Sequence, residues 1–403
     1  MFMNFLLCIV GIAALVYSAD KVVEAASNLA INFKVSKMVI GLSIVAVGTS
    51  LPELVVSLNS SIKGNSALSL GNIVGSNIMN IALILGISAI ILPINSTKEL
   101  VKREIPILIS ATALFWIFAR SDSTISPNEG LILIGIFIAY NITIYILGKK
   151  EGNLSDEYAE EAEKFIINQA TPAEVQPEAE PQAEANDSKK EEEKQESDNE
   201  KEKTSNKKSS TGFNILCIIG GFIGLVIGSE LLVKGATTLA LLLGMSNEII
   251  GLTLVAIGTS LPELITSIVA SKKGQSDISV GNVLGSNIFN ISAIIGIVAI
   301  LPYFSSNQNL NLSLAVSPEM LSLHIPVMMV LSVVLLPIML TNMQITRREG
   351  AFFLVIYICY TIMLIQNTFP NQEPSDNTAQ MTQEQTVPNS ATPASAPISL
   401  PNK

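Results

Sequence analysis

The sequence predicts an all-α membrane protein: ten transmembrane helices arranged as two inverted five-helix repeats. Three observations carry this. Hydrophobic residues make up 49% of the 403 positions and charged ones only 14%, where about a quarter is usual for a soluble chain. Apolar segments fall at roughly 4–30, 38–62, 68–93, 104–120 and 129–148, and resume at 213–241, 248–271, 278–302, 319–340 and 350–367. Each is near the ~20 residues that cross a bilayer. Residues 41–86 and 251–296 agree without gaps at 27 of 46 positions, at an offset of 210. An odd number of crossings per repeat forces the two copies into opposite orientations.

The segments follow from the chain in order. Residues 4–30 lack the basic start of a signal peptide and their apolar run continues too far, so they read as the first spanning helix. The first segment of each half is long and is expected to tilt. Gly11–Ala30 lines up with Gly221–Ala240, which makes Asp20 and Glu230 equivalent acids, suited to a vestibule or to ion pairs with Lys21 and Lys234. The predicted parts are a first repeat over 1–148, a linker over 149–211, a second repeat over 212–367 and a tail over 368–403. The linker holds 18 acidic and 10 basic side chains, a balance of −8 within the net −10, so the remainder is nearly neutral. With little to bury it is expected to be a disordered tether, apart from a short helix over 155–169. The tail, rich in Pro, Ser, Thr, Asn and Gln, is expected to be disordered as well.

Positive charge sets the orientation. With the N-terminus outside, inside loops hold Lys34, Lys37, Lys98, Lys102, Arg103, Lys272, Lys273, Arg347 and Arg348, against Lys63 and Arg120 outside. The reading is a multi-pass protein of a cell or inner membrane, with both termini outside and the linker cytoplasmic. Its partners are inorganic cations and lipid. There is no basic patch for nucleic acid, and no obligate protein partner is evident. Cys8, Cys217 and Cys359 lie in apolar runs without a CxxC neighbour and read as small core residues. His324, alone of its kind, reads as packed or interfacial, so a zinc or copper site is not expected.

The repeated stretch carries the chemistry. Gly48-Thr-Ser-Leu-Pro-Glu53 and Gly258-Thr-Ser-Leu-Pro-Glu263 each put a carboxylate beside proline in an apolar segment. Proline removes an amide hydrogen and clashes with the carbonyl four residues back. A kink in mid-membrane thus frees carbonyls near Gly48 and Thr49, tolerable only where something satisfies them. Glu53 lies one turn past Thr49 and can face the same opening. A packing kink needs no glutamate, whereas acids inside a membrane mark ion or proton paths. Asn72, Ser76 and Asn80 are spaced by four and form one polar stripe, repeated by Asn282, Ser286 and Asn290. Gly71 with Gly75, and Gly281 with Gly285, form small surfaces for close helix approach. Two carboxylates with hydroxyls, amides and freed carbonyls make an all-oxygen site of the kind that suits Ca²⁺. Two negative charges are balanced by one Ca²⁺, by two or more Na⁺, or by two protons. Occupants that replace one another at one site give exchange.

Both stretches resemble the alpha-repeats of the calcium/cation antiporter superfamily, in its sodium/calcium exchanger branches, including bacterial ones like the potassium-dependent exchangers. The resemblance extends in layout to all ten helices. It implies that Glu53 and Glu263, with the carbonyls of Thr49 and Thr259, hold Ca²⁺. It implies that Ser50, Ser76, Ser260 and Ser286 help form flanking Na⁺ sites, with Ala46 and Ala256 lending carbonyls. It also implies that the long first helix of each half slides to alternate access. Asn290 stands where relatives often carry aspartate, and its counterpart Asn80 is the usual residue. The lost carboxylate leaves Na⁺ stoichiometry, K⁺ co-transport and proton coupling open. The resulting expectation is a secondary-active Na⁺/Ca²⁺ antiporter with no cofactor and no enzymatic activity. A proton/Ca²⁺ antiporter is the alternative. A cation channel fits paired buried sites poorly, and an intramembrane hydrolase lacks a nucleophile–base pair.

Overall fold

The computed structural model describes residues 2–95, 97–170, 210–243, 256–304, 313–341 and 343–368, and their side chains except those of 151–170, 256 and 367–368. The chain forms two compact units, Met1–Cys359 and Tyr360–Lys403. Of the second, the described residues are the last turns of one helix. The polar cluster and the helices packed around it belong to the first unit.

The described secondary structure is almost entirely helical. Helix α1 covers Phe2–Phe33, followed by α2 (Lys37–Thr49), α3 (Leu51–Ile62) and α4 (Ser66–Ile91). Next come α5 (Ile105–Asp122) and α6 (Pro127–Ala170). The second half opens with α7 (Thr211–Leu242), α8 (Ala256–Thr259) and α9 (Leu261–Lys272). It closes with α10 (Ser276–Phe304), α11 (Met320–Leu340) and α12 (Arg347–Thr368). Among the described residues, seven helices are long and apolar enough to cross a membrane, or eight if the bent pair α2 and α3 counts as one crossing. The protein is thus an all-α, multi-pass membrane protein. The segment expected over 248–271 falls partly on 244–255, outside the described residues. Helix α6 runs past 148 through Ala170 and takes in the short helix expected over 155–169. The rest of the linker (171–209) and the tail beyond 368 lie outside the described residues.

Helices α4 and α10 form the centre, with 78% and 89% of an apolar 18-residue stretch buried in each, against 22% for α1 and 28% for α7. The outer faces of α1 and α7 expose large apolar side chains such as Ile9, Tyr17, Leu216 and Ile223, as lipid-facing surfaces do. Inner faces pack Leu15, Ala19, Val22, Val23 and Ala26 of α1 with Leu225 of α7. Glycine lets these two backbones touch. A methyl added at Gly11 would lie 2.8 Å from the Gly228 carbonyl, and one at Gly228 would lie 3.0 Å from the Gly11 carbonyl.

Two short antiparallel bridges cross between the halves. Ile94–Asn95 pairs with Gln344–Ile345, and Thr124–Ile125 pairs with Leu314–Ala315. Two helix starts beside these bridges are closed in the same way. Before α6, Glu129 accepts from the amide and hydroxyl of Ser126 at 2.7 and 2.8 Å. Before α12, Glu349 does the same for Thr346 at 2.7 and 2.8 Å. Both are reciprocal caps that satisfy amides a helix start leaves over.

The cysteines are free, as expected, but they are not core residues: Cys8 and Cys217 are half-buried and Cys359 is exposed on a helix face. Cys8 reaches the Leu232 carbonyl of α7 at 3.9 Å and Cys217 packs at the edge of the Ala25, Leu29 and Ile218 cluster. His324 sits half-buried, 3.9 Å from Glu319. Asp20 pairs with Lys273 at 2.6 Å, closer than the neighbouring Lys21 at 4.0 Å, so this acid ties α1 to the end of α9.

Candidate cation site between the two repeats

The Thr-Ser-Leu-Pro-Glu stretches break their helices outright, where a kink was expected. Helices α2 and α3 meet at 44°. The break falls at Ser50 (φ −85, ψ 9) and, in the second half, at Ser260 (φ −94, ψ 10). Proline then sits in the first turn of α3 and of α9, where its missing amide hydrogen costs nothing. The same placement puts Glu53 and Glu263 in first turns, where free amides and the helix dipole favour negative charge. The carbonyl of Gly258, four residues before Pro262, accepts a short hydrogen bond from Ser229 of α7. Repeat alignment puts Ala19 at the position equivalent to Ser229, so this closure belongs to the second half alone.

Both carboxylates are only 1% exposed. Each takes a hydroxyl from the other half. Ser50 donates to Glu263 Oε1 at 2.8 Å, and Ser260 donates to Glu53 Oε1 at 2.8 Å. Ser76 of α4 adds a bond to Glu53 Oε1 at 3.3 Å and lies 3.1 Å from the Ser260 hydroxyl. The crossing repeats one layer out, where Thr49 donates to Asn282 Oδ1 at 2.9 Å and Thr259 to Asn72 Oδ1 at 3.4 Å. The amide nitrogens of Asn72 and Asn282 reach the main-chain carbonyls of Glu53 and Glu263, at 3.2 and 3.4 Å, fixing the acids' helix starts.

Further along the stripe, Asn80 donates to Asn287 Oδ1 at 2.9 Å and Asn290 donates to Asn77 Oδ1 at 3.1 Å. Spacing by four points to Asn80 and Asn290 but passes over Asn77 and Asn287, one position along from Ser76 and Ser286. The motif Gly-Ser-Asn-Ile-x-Asn contains them. Their role is to hold the neighbouring amides by nitrogen, which leaves the oxygens free. Two of the π-helical turns, Asn80–Leu85 and Phe289–Ile294, begin here, and such turns often mark functional positions.

What is left unsatisfied identifies the chemistry. Glu53 Oε2, Glu263 Oε2, Asn80 Oδ1 and Asn290 Oδ1 are buried and have no hydrogen-bond partner. Among the described residues, the ion pairs are all elsewhere, and no basic side chain pairs with either glutamate. A bare buried carboxylate is costly without a counter-charge. No group of three or more Asp, Glu, His or Cys is found among the described residues, so a cation here would complete its shell from hydroxyls, amides and carbonyls. That composition fits a hard ion.

Two expected ligands stand differently. The Ala46 carbonyl already accepts from the Ser50 amide at 3.1 Å and from the Ser286 hydroxyl at 3.3 Å, and the Thr49 hydroxyl, which donates to Asn282, also lies 3.3 Å from it. Those hydroxyls would have to turn away before it could serve an ion. Ala256 opens α8, and its side chain is not among those described. The close approach expected at glycines holds in the second half, where a methyl at Gly285 would lie 2.4 Å from the Leu42 carbonyl. At Gly71 and Gly75 no described atom lies within 4 Å. The matching segment there is 248–256, mostly outside the described residues.

The family described as sodium/calcium exchanger protein matches residues 3–146 and 213–366, both halves without the linker. The chain is 36% identical over 365 residues to the sodium/calcium exchanger MaX1 of Methanosarcina acetivorans, covering 90% of this chain and 98% of that one. It is 35% identical over 296 residues to the putative antiporter CaxA of Alkalimonas amylolytica, covering 73% of this chain and 79% of that one. Among solved structures, the sodium-calcium exchanger NCX_Mj, soaked with zero Na⁺ and Ca²⁺, superposes with a TM-score of 0.67 at 28% identity, over 90% of this chain and 99% of that one. The motifs, the crossed hydrogen bonds and these matches agree: the chain belongs to the sodium/calcium exchanger family.

Proposed function

We propose that this antiporter moves Na⁺ and Ca²⁺ in opposite directions through one site built on Glu53 and Glu263, which the two ions occupy in turn. It is a secondary-active exchanger and not an enzyme. The observation that carries the site is the pair of buried carboxylate oxygens without partners. They lie in a cluster whose hydroxyls come crosswise from the two halves. In this reading Thr49, Thr259, Ser50, Ser260, Ser76, Ser286, Asn80, Asn290, Ala46 and Ala256 supply the remaining oxygens.

The layout proposed with it is ten crossings in two inverted repeats, supported by the offset of 210 and by the equivalent bonds at each break. The nine-to-two charge count supports both termini outside and the linker in the cytoplasm. The contact of α1 on α7, glycine against backbone, supports these helices as the elements that move to alternate access. Asn290, a neutral amide, keeps the proton-coupled alternative in view. Uptake of ⁴⁵Ca²⁺ into Na⁺-loaded vesicles tests the reading. Uptake should stop when the Na⁺ gradient is removed at fixed pH; uptake that persists and follows a proton gradient would overturn Na⁺ coupling.

A further inference from the structure

Beyond the central cluster, each carboxylate is continued along its own helix by serines spaced by four. They are Ser57 and Ser61 after Glu53, and Ser267 and Ser271 after Glu263. All four are buried, at 3% exposure or less. Four residues of helix advance about 6 Å, so each track leads two turns outward on one face. The innermost step is the same in both halves, with Asn72 donating to Ser57 at 2.9 Å and Asn282 donating to Ser267 at 3.1 Å. The outer step differs. In the second half Ser271 donates to Ser279 of α10 at 3.1 Å. In the first half the equivalent hydroxyls, Ser61 and Ser69 of α4, are buried and have no partner at all. A helical serine escapes that cost by bonding the carbonyl four residues back, as Ser60 does to Val56 at 2.7 Å. Ser61 and Ser69 do not.

We propose that Ser57, Ser61 and Ser69 form a hydroxyl relay leading outward from Glu53, along which a cation in transit exchanges its ligand oxygens for water. The unpaired hydroxyls of Ser61 and Ser69 are the ligand positions. Ser271 and Ser279, bonded to each other, are the same station closed. Neutral oxygens suit a relay, since they replace hydration without holding the ion as a carboxylate does. The proposal rests on the central site assigned above.

Two measurements on the full-length protein test it separately from that assignment. In Ser61→Ala/Ser69→Ala, equilibrium ⁴⁵Ca²⁺ binding to purified protein should stay within about twofold of the parent, while the exchange rate in vesicles falls about tenfold, the loss of roughly one to two hydrogen bonds to the moving ion. Ser61→Thr/Ser69→Thr should recover much of the rate. In a background with Cys8, Cys217 and Cys359 replaced, Ser61→Cys and Ser69→Cys should react with a charged methanethiosulfonate reagent, and Ca²⁺ should alter the reaction rate. An unchanged exchange rate in the alanine variant, or cysteines inert to the reagent, overturns the relay. A parent protein that binds no ⁴⁵Ca²⁺ overturns the central site instead, and the labelling result still decides whether water reaches Ser61 and Ser69.

Discussion

At the scale of single residues, the acids and the amides beside them are held for different purposes. Glu53 and Glu263 are kept bare on one oxygen each, so Glu53→Gln and Glu263→Gln should each reduce ⁴⁵Ca²⁺ uptake to background, since half the counter-charge for a divalent ion disappears. Asn77 receives the nitrogen of Asn290 at 3.1 Å. In Asn77→Ala that amide is released to rotate, and Ca²⁺ affinity measured by equilibrium binding should weaken about five- to tenfold, the worth of one orienting hydrogen bond. The acids were legible in the sequence because packing alone does not call for glutamate beside proline in an apolar run. Asn77 and Asn287 were not legible. A polar stripe drawn at a spacing of four passes them by, and their bonds run to the far half of the chain, where spacing says nothing.

At the scale of elements, the described spanning segments and the two breaks were legible from hydropathy and from the prolines, but proline was expected to bend a continuous helix. The chain instead ends one helix and starts another, which turns a liability into a favourable first-turn proline and places each acid at a helix start. The π-helical turns at Asn80 and Phe289 leave no sequence mark of their own. Packing sets two expectations at this level. Ser229→Ala leaves the Gly258 carbonyl without its hydroxyl and should cost about 1 kcal/mol. Gly285→Ala drives a methyl against the Leu42 carbonyl and should cost about 1–3 kcal/mol. Thermal unfolding in detergent, followed by circular dichroism, checks both, with the larger fall in Tm expected for Gly285→Ala.

For the molecule as a whole, the serines that serve the acids are separated from them by 213 and 207 positions. The repeat was plain from an ungapped alignment, yet nothing in it says that each copy completes the other's carboxylate. Residues 1–170 and 210–403 produced as separate chains should therefore each fail to take up ⁴⁵Ca²⁺, while co-expression should restore uptake. Recovery by either half alone would show that the crossed bonds are dispensable.

The cluster holds two carboxylates, with the neutral amide of Asn290 buried further along the same stripe. On the proposed site, a calcium ion and two ionised glutamates sum to zero, so the loaded unit crosses without moving charge and the membrane potential does no work on it. A third sodium would leave one positive charge, subject to ~2.3 kcal/mol per 100 mV. Any voltage sensitivity of the exchanger then resides in its sodium-carrying stroke, and calcium's own passage is electrically silent.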